Sequence, residues 1–133
     1  MIQEDRKLLL RDLNARLHCG VVVTTANPAV KFGVISGISI KGNISVSTKD
    51  ADIVFDCTEV KPYLRPMSSM TEEEKVQLSQ YACIGEDLNG EFIDEVQRKD
   101  CVEYIDWLNK HHFDYRGLIE RGLAIEAPEG MYN

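Results

Sequence analysis

The sequence lacks several features that would identify a function directly. It has 133 residues but only 3 His, 4 Cys and 1 Trp. No two cysteines form a Cys-x-x-Cys pair, and the spacing of Cys19, Cys57, Cys83 and Cys101 matches no zinc module. Without a secretory signal, such cysteines are by default free thiols that behave as small hydrophobic residues. We therefore expect no structural metal, no disulfide and no cofactor.

Long apolar runs are also missing. No apolar stretch approaches the roughly 20 residues that a membrane-spanning helix requires. The first five residues, Met1 to Asp5, are acidic at their end and lead into an amphipathic pattern, which is not typical of a signal peptide. We expect a cytoplasmic protein that does not contact a membrane.

Basic charge is scarce as well, because the net charge is −7 at pH 7. Residues 1–66 hold nine Lys/Arg against seven Asp/Glu, whereas residues 67–133 hold six against fifteen. Nucleic-acid affinity rests largely on basic side chains that contact phosphates. The acidic half therefore disfavours nucleic acid as a partner, and duplex DNA should bind weakly and only at low salt.

What the sequence does contain is a change of periodicity near Pro66. Pro62 and Pro66 each fix φ and lack a backbone donor, which predicts that this piece lies outside the sheet interior, with Val60 to Leu64 at most a short edge strand. Thr71 and Glu74 then have capping-box spacing, which predicts the start of a helix. We predict one domain over 1–133, in which a helix and a β unit over 1–66 precede a helical unit over 67–133.

Short strands dominate the first half. Val21 to Thr25 is a β-branched run, Gly42-Asn43 is a hairpin signal, and Ile44 to Thr48 alternates apolar and polar residues. Gly33 and Gly37 interrupt the strand between them, as at a bulge or bend. We predict an α+β fold with a small curved antiparallel sheet or an SH3-like barrel over about 21–65.

Helical spacing marks the rest of the chain. Leucines recur every three or four residues from Leu8 to Leu17, which predicts an N-terminal helix over about 3–17 with Asp12 and Arg16 on its polar side. Further helices are predicted near 71–83 and 101–112, while residues 85–99 show no clear pattern. A short helix capped by Asp114 and a loose C-terminal tail complete the prediction.

Two stretches, residues 64–74 and 107–124, have distinctive sequences. They read LRPMSSMTEEE and WLNKHHFDYRGLIERGLA. Both resemble segments of short uncharacterised proteins encoded in prophages and mobile elements of gut bacteria. The resemblance implies common descent and a phage or mobile-element setting. It implies no activity, ligand or catalytic residue.

The richest polar cluster is the segment His111–Arg116. A histidine, a carboxylate and a guanidinium at His111, Asp114 and Arg116 could perform acid–base chemistry or bind an anion. The structural alternative is that His112 completes a core face, Asp114 caps a helix and Arg116 pairs with an acid. Consecutive helical residues point about 100° apart, so His111 and His112 cannot easily share a ligand.

Three functions remain open from the sequence. The first, and the one we favour, is a small accessory protein that binds a protein partner or self-associates. The second is a counter-defence protein that binds a small nucleotide-like ligand through Lys31, Lys41, Lys61 and Arg65. The third is an enzyme centred on His111–Arg116, for which the sequence supplies no adjacent Ser or Cys nucleophile.

Overall fold

The computed structural model describes residues 1–81 and 97–132. Over these residues the protein has an α+β fold in which three α-helices accompany one mixed sheet, and this confirms the predicted fold class. The helices are α1 (Gln3–Ala15), α2 (Glu72–Ser79) and α3 (Gln97–Lys110). The strands are β1 (Val22–Thr25), β2 (Gly33–Ile38), β3 (Asn43–Ser47), β4 (Asp52–Asp56), β5 (Val60–Pro66), β6 (Phe113–Asp114) and β7 (Ile125–Glu126).

The sheet has the strand order β4-β3-β2-β1-β5-β6, and β7 also pairs with β5. Strands β1 to β5 are joined by antiparallel pairings, which confirms the antiparallel unit predicted over about 21–65. Of the two predicted arrangements, a curved open sheet and an SH3-like barrel, the structure has the open sheet. The far side of β5 is occupied by β6 and β7, so β4 cannot pair there and stays at the edge.

Glycines set the shape of the first half of the sheet. The register between β2 and β3 shifts between Ile35 and Gly37, which is the predicted bulge. Gly42 has φ of 86° in the β2–β3 turn, and a Cβ there would lie 2.7 Å from Nη2 of Arg6. The hairpin therefore needs glycine at this position for its backbone conformation and for the approach of Arg6.

The prediction that the Pro62–Pro66 piece lies outside the sheet interior is wrong. Pro62 lies within β5 and faces Val23 of β1. Opposed residues of two antiparallel strands alternate between pairs that exchange backbone hydrogen bonds and pairs that do not. Ala26 N donates to Glu59 O, so the pair of Val23 and Pro62, three positions further along, is one without backbone hydrogen bonds. Its missing N–H is therefore not required by β1, and β6 and β7 pair with β5 only after Pro62.

The main core lies between the sheet and α1. Leu9 and Leu13 of α1 are fully buried against Val23, Ile44 and Leu64 of the strands. The turns after β6 complete the same core with Leu118, Leu123 and Ala124. Burial of these apolar side chains is the dominant favourable term that holds α1 on the sheet.

The C-terminal half differs from prediction in three places. It contributes the strands β6 and β7 to the sheet, it forms turns rather than a helix over 114–121, and its end is anchored. A second core cluster joins α2 and α3 through Leu78, Tyr104, Trp107, Leu108 and Phe113. The sequence of 114–121 resembles a capped helix because the Asp114 carboxylate does accept backbone N–H groups, although those groups belong to turns.

Some predictions concern residues outside the described ranges. The unpatterned residues 85–99 fall largely there, as does the side chain of Cys101. The helix predicted near 71–83 is present but shorter than predicted, because α2 ends at Ser79 and Gln80 is its C-cap. Cys19 and Cys57 lie within the described ranges and are free thiols. Burial is the main cause that raises the pKa of both, so they stay protonated at neutral pH.

Candidate functional site

The candidate site is a cleft beside the end of β5. It has a volume of about 520 Å³ and lies between the Arg65–Glu74 segment and the chain that follows β7. That volume lies within the range of roughly 300–1,000 Å³ typical of ligand pockets. The lining residues are Arg65, Pro66, Ser69, Thr71, Glu74 and residues 126–132.

One wall of the cleft is built around the ion pair between Arg65 and Glu74. Two nitrogen–oxygen distances, Nη1 to Oε2 and Nη2 to Oε1, are both 2.7 Å, so the pair is bidentate. The guanidinium carbon also lies 4.2 Å from the ring centroid of Phe113. The hydrogen bond from Arg65 is the main cause that lowers the pKa of Glu74 to about 2. Both groups are therefore charged at neutral pH, and each neutralises the other.

Glu74 has a second role at the start of α2. The Thr71 hydroxyl accepts the backbone N–H of Glu74 at 3.2 Å, and Glu74 Oε1 accepts the backbone N–H of Thr71 at 3.0 Å. This is the predicted capping box, and the structure confirms it. The carboxylate that caps the helix is thus the one that fixes Arg65, so the local sequence sets the position of this wall.

The opposite wall is the C-terminal segment after β7. The backbone N–H of Ala127 donates to the Leu64 carbonyl at 2.8 Å. The Tyr132 hydroxyl accepts the Val22 N–H at 3.0 Å and donates to the Tyr63 carbonyl at 2.6 Å. Burial raises the pKa of this hydroxyl to about 12, so it stays protonated and able to donate. The tail predicted to be loose is instead anchored through Tyr132.

The cleft has a net negative charge. Arg65 is balanced by Glu74, whereas Glu126 and Glu129 are exposed and form no ion pair with any described residue. Apolar surface from Pro66, Pro128 and Met131 flanks these carboxylates. A cleft with two free carboxylates beside apolar walls favours a cationic group carried on an aliphatic stem.

The predicted cluster His111–Arg116 lies directly behind the cleft. Phe113 of β6 pairs with Arg65 of β5 in parallel, and the Arg65 N–H donates to the His112 carbonyl at 2.7 Å. The fold therefore brings this cluster next to Arg65, which the sequence reasoning had placed in a separate candidate site. None of His111, Asp114 and Arg116 is among the residues that line the cleft.

The two histidines have different neighbours. The His111 ring stacks on Trp107 with centroids 4.1 Å apart, and the His112 ring stacks on Tyr132 with centroids 3.6 Å apart. Burial lowers the pKa of His111, and burial with the nearby Arg16 charge lowers the pKa of His112 to about 4. His112 is therefore neutral at pH 7, and the rings do not converge on one ligand.

Asp114 and Arg116 have structural partners. The two carboxylate oxygens of Asp114 accept the backbone N–H groups of Leu118 and Ile119, each at 2.9 Å. Arg116 Nη1 lies 2.9 Å from Oδ1 of Asp12. These contacts agree with the structural alternative for the cluster, in which Asp114 is a cap and Arg116 pairs with an acid.

A buried ion network at the end of α1 is not apparent from the sequence. Asp12 and Arg16 were assigned to the polar side of the helix, but both are fully buried. Arg16 Nε bonds Asp12 Oδ2 at 2.9 Å, and Arg16 Nη2 bonds the Phe113 carbonyl at 2.5 Å. The spacing of four residues between an acid and a base was the available signal. The network ties α1 to β6 and so supports the wall behind the cleft.

The predicted phosphate contacts are not gathered at the cleft. Lys31 lies between β1 and β2, Lys41 lies in the β2–β3 turn, and Lys61 lies in β5 opposite Thr24. All three are exposed, and only Arg65 of the four candidates lines the cleft. Glu126, Glu129 and Tyr132 were not singled out in the sequence, because the chain after Ile125 has no regular periodicity.

Within residues 1–81 and 97–132, no group of three or more His, Cys, Asp or Glu side chains is placed to hold a metal ion. The helices in these ranges are too short or too polar to cross a membrane. No protein-family model, curated protein or solved structure compared with the chain matches it. Function therefore has to be argued from the site alone.

Proposed function

We propose that this protein is a non-enzymatic accessory protein that binds a protein partner through the cleft between Arg65–Glu74 and the C-terminal segment. The observation that carries the proposal is the unpaired carboxylates of Glu126 and Glu129 beside a neutralised Arg65. A basic side chain of the partner fits this arrangement. Its aliphatic stem would lie on Pro66 and Pro128, and its charged end would reach the carboxylates.

The contacts around the predicted catalytic cluster give the enzymatic alternative less support. Asp114 and Arg116 are engaged by backbone groups and by Asp12, and His111 is stacked on Trp107. A catalytic role would require these groups to leave stabilising contacts. The cluster His111–Arg116 serves better as the support on which the cleft is built.

The nucleotide-binding alternative also has less support at this cleft. A phosphate would have to displace Glu74 from Arg65 and approach two further carboxylates. Lys31, Lys41 and Lys61 stay a prediction for a ligand elsewhere on the β unit. The resemblance to prophage proteins supports a phage or mobile-element setting for either kind of partner.

The proposal is tested in two steps. Native mass spectrometry of the purified protein distinguishes a co-purifying polypeptide from a bound nucleotide, and a nucleotide would contradict the proposal. Peptides that contain lysine or arginine are then titrated against the wild type and the double variant Glu126→Gln/Glu129→Gln. We expect the double variant to bind about twofold to thirtyfold more weakly, since partly exposed ion pairs contribute about 0.2–1 kcal/mol each.

A matched control is Glu120→Gln, which removes one carboxylate from an exposed turn outside the cleft. It should leave peptide affinity within experimental error of the wild type. Equal weakening by Glu120→Gln and by the cleft variants would mean that the net charge of the protein, rather than the cleft, attracts the peptide. That result would overturn the assignment of the site.

A further inference from the structure

Among residues 1–81 and 97–132, no strand pairs with the outer side of β4, which is an edge of the sheet. The backbone bonds from Thr48 N to Ala51 O and from Cys57 N to Gly42 O fix the alternation of bonded pairs between β3 and β4. Ile53 lies opposite Val46, and Phe55 lies opposite Ile44. The backbone groups of Ile53 and Phe55 therefore form the hydrogen bonds to β3. The backbone groups of Asp52 and Val54 must therefore point away from the sheet.

Side chains at this edge leave room for another strand. Val54 is 64% exposed and faces Ser45, whose small side chain is bonded to Ser36 at 3.1 Å between the hydroxyl oxygens. Asp52 is exposed, whereas Asp56 is engaged by Thr58 and Arg6. The edge thus combines two outward-pointing peptide units, one apolar side chain and one carboxylate that no described residue pairs with.

We propose that β4 binds an extended basic segment of a partner protein as an additional strand. An apolar residue of that segment lies beside Val54, and a lysine or arginine lies beside Asp52. Main-chain hydrogen bonds to Asp52 and Val54 supply affinity, and the alternating side chains supply specificity. The charge of Asp52 selects a basic segment, because opposite charges on facing strands stabilise the pair.

A second copy of this chain fits the edge less well. Antiparallel pairing of two β4 strands about Val54 would place Asp52 of each copy opposite Asp56 of the other. Arg6 already pairs with Asp56, so this register brings two carboxylates together and offers Asp52 no free cation, which is unfavourable. The charge pattern of β4 therefore favours a partner of different sequence over self-association.

The β4 edge and the cleft lie at opposite ends of the sheet. Four strand spacings separate β4 from β5, which is about 19 Å at about 4.8 Å per spacing. One molecule could engage two basic segments at the same time without competition between them. The inference at β4 does not depend on the proposed function of the cleft.

The test uses an acetylated and amidated heptapeptide of sequence Ser-Lys-Thr-Val-Thr-Lys-Ser and the same peptide with both lysines replaced by glutamate. Isothermal titration calorimetry should show binding of the lysine peptide and about tenfold weaker binding of the glutamate peptide. Hydrogen exchange of the complex should be slowed at the amides of Asp52 and Val54. The amides of Ile53 and Phe55 should change little, because they already bond β3.

Two variants make the result specific. Asp52→Lys should weaken binding of the lysine peptide at least about fivefold, whereas the cleft variant Glu126→Gln/Glu129→Gln should bind it as the wild type does. A lysine peptide N-methylated at its valine should also lose affinity, because strand addition requires that edge of its backbone to be unobstructed.

Binding without slowed exchange at Val54, or equal affinity for both peptides, would overturn the proposal. A concentration-dependent dimer in which the same two amides are protected would also overturn it, since the occupant would then be a second copy.

Discussion

Val22 and Tyr63 face each other across β1 and β5, yet the hydroxyl of Tyr132 bridges their backbone groups. The hydroxyl accepts from Val22 N at 3.0 Å and donates to Tyr63 O at 2.6 Å. The register of the two strands makes this a hydrogen-bonded position, so a side chain from the chain's end continues the ladder. Because Tyr132 also stacks on His112, the C-terminal segment joins the two halves of the protein.

Replacing Tyr132 by phenylalanine should destabilise the protein by about 1–3 kcal/mol, because Val22 N and Tyr63 O lose their partner while the ring stack on His112 is kept. Urea unfolding followed by circular dichroism measures the change. Tyr63→Phe is the control, since it removes a hydroxyl that forms no hydrogen bond with the described residues and keeps the backbone carbonyl. Equal stability of the wild type and Tyr132→Phe would contradict the bridging role.

Glu74 should make the free energy of unfolding depend on pH in acid. Its pKa is lowered from 4.5 to about 2 in the folded protein, chiefly by the hydrogen bond from Arg65. The folded state binds fewer protons than the unfolded state in this window, so the contribution is present above about pH 4.5 and is lost as pH falls towards 2. Glu74→Gln should flatten the stability profile between these two pH values. Chemical denaturation at several pH values tests this, with the exposed Glu73→Gln as control; an unchanged slope in Glu74→Gln would refute it.

Asp114 should contribute to stability as a cap for two backbone donors. Asp114→Ala leaves the N–H groups of Leu118 and Ile119 without their acceptors, at a cost of about 0.5–2 kcal/mol. Asp114→Asn keeps one oxygen acceptor and should cost less. The melting temperature should be highest for the wild type, lower for Asp114→Asn and lowest for Asp114→Ala. Glu120→Ala, in an exposed part of the same turn, should have little effect, and a cost equal to that of Asp114→Ala would remove the case for a cap.

Trp107 should be the most sensitive position of the second core cluster. It is 8% exposed and stacks on His111 and on Phe113, with centroids 4.1 Å and 5.8 Å apart. Trp107→Ala should cost about 3–5 kcal/mol through lost burial and the remaining cavity. His111→Ala removes one partly exposed stacking partner and should cost about 0.5–1.5 kcal/mol. Denaturant midpoints of the two variants give the comparison. Unchanged stability together with lost partner binding would identify this segment as a recognition surface instead.

Local features of the sequence were sufficient to predict several elements of the fold. Thr71 and Glu74 form a capping box whose two hydrogen bonds join residues three apart, so no distant contact is needed to specify it. Gly42 adopts positive φ in the turn where the Gly-Asn pair predicts it. The antiparallel unit followed from alternation and turn chemistry, which act over a few residues.

Other features could not be predicted because they depend on contacts between distant parts of the chain. Asp12 and Arg16 resemble a surface pair at the end of α1. They are buried because Arg116 and the Phe113 carbonyl, about a hundred residues later, complete their hydrogen bonds. Pro62 resembles a boundary residue until the register with Val23 shows that its missing N–H is not needed.

The cleft itself was decided only by the tertiary structure. The sequence determined that Arg65 lies near a helix that begins after Thr71 and that the last residues carry Glu126, Glu129 and Tyr132. Their convergence requires β7 to pair with β5 and the Tyr132 hydroxyl to reach Val22. A two-residue strand and one buried hydroxyl leave almost no periodic signal in a sequence, because their free energy comes from groups more than sixty residues away along the chain.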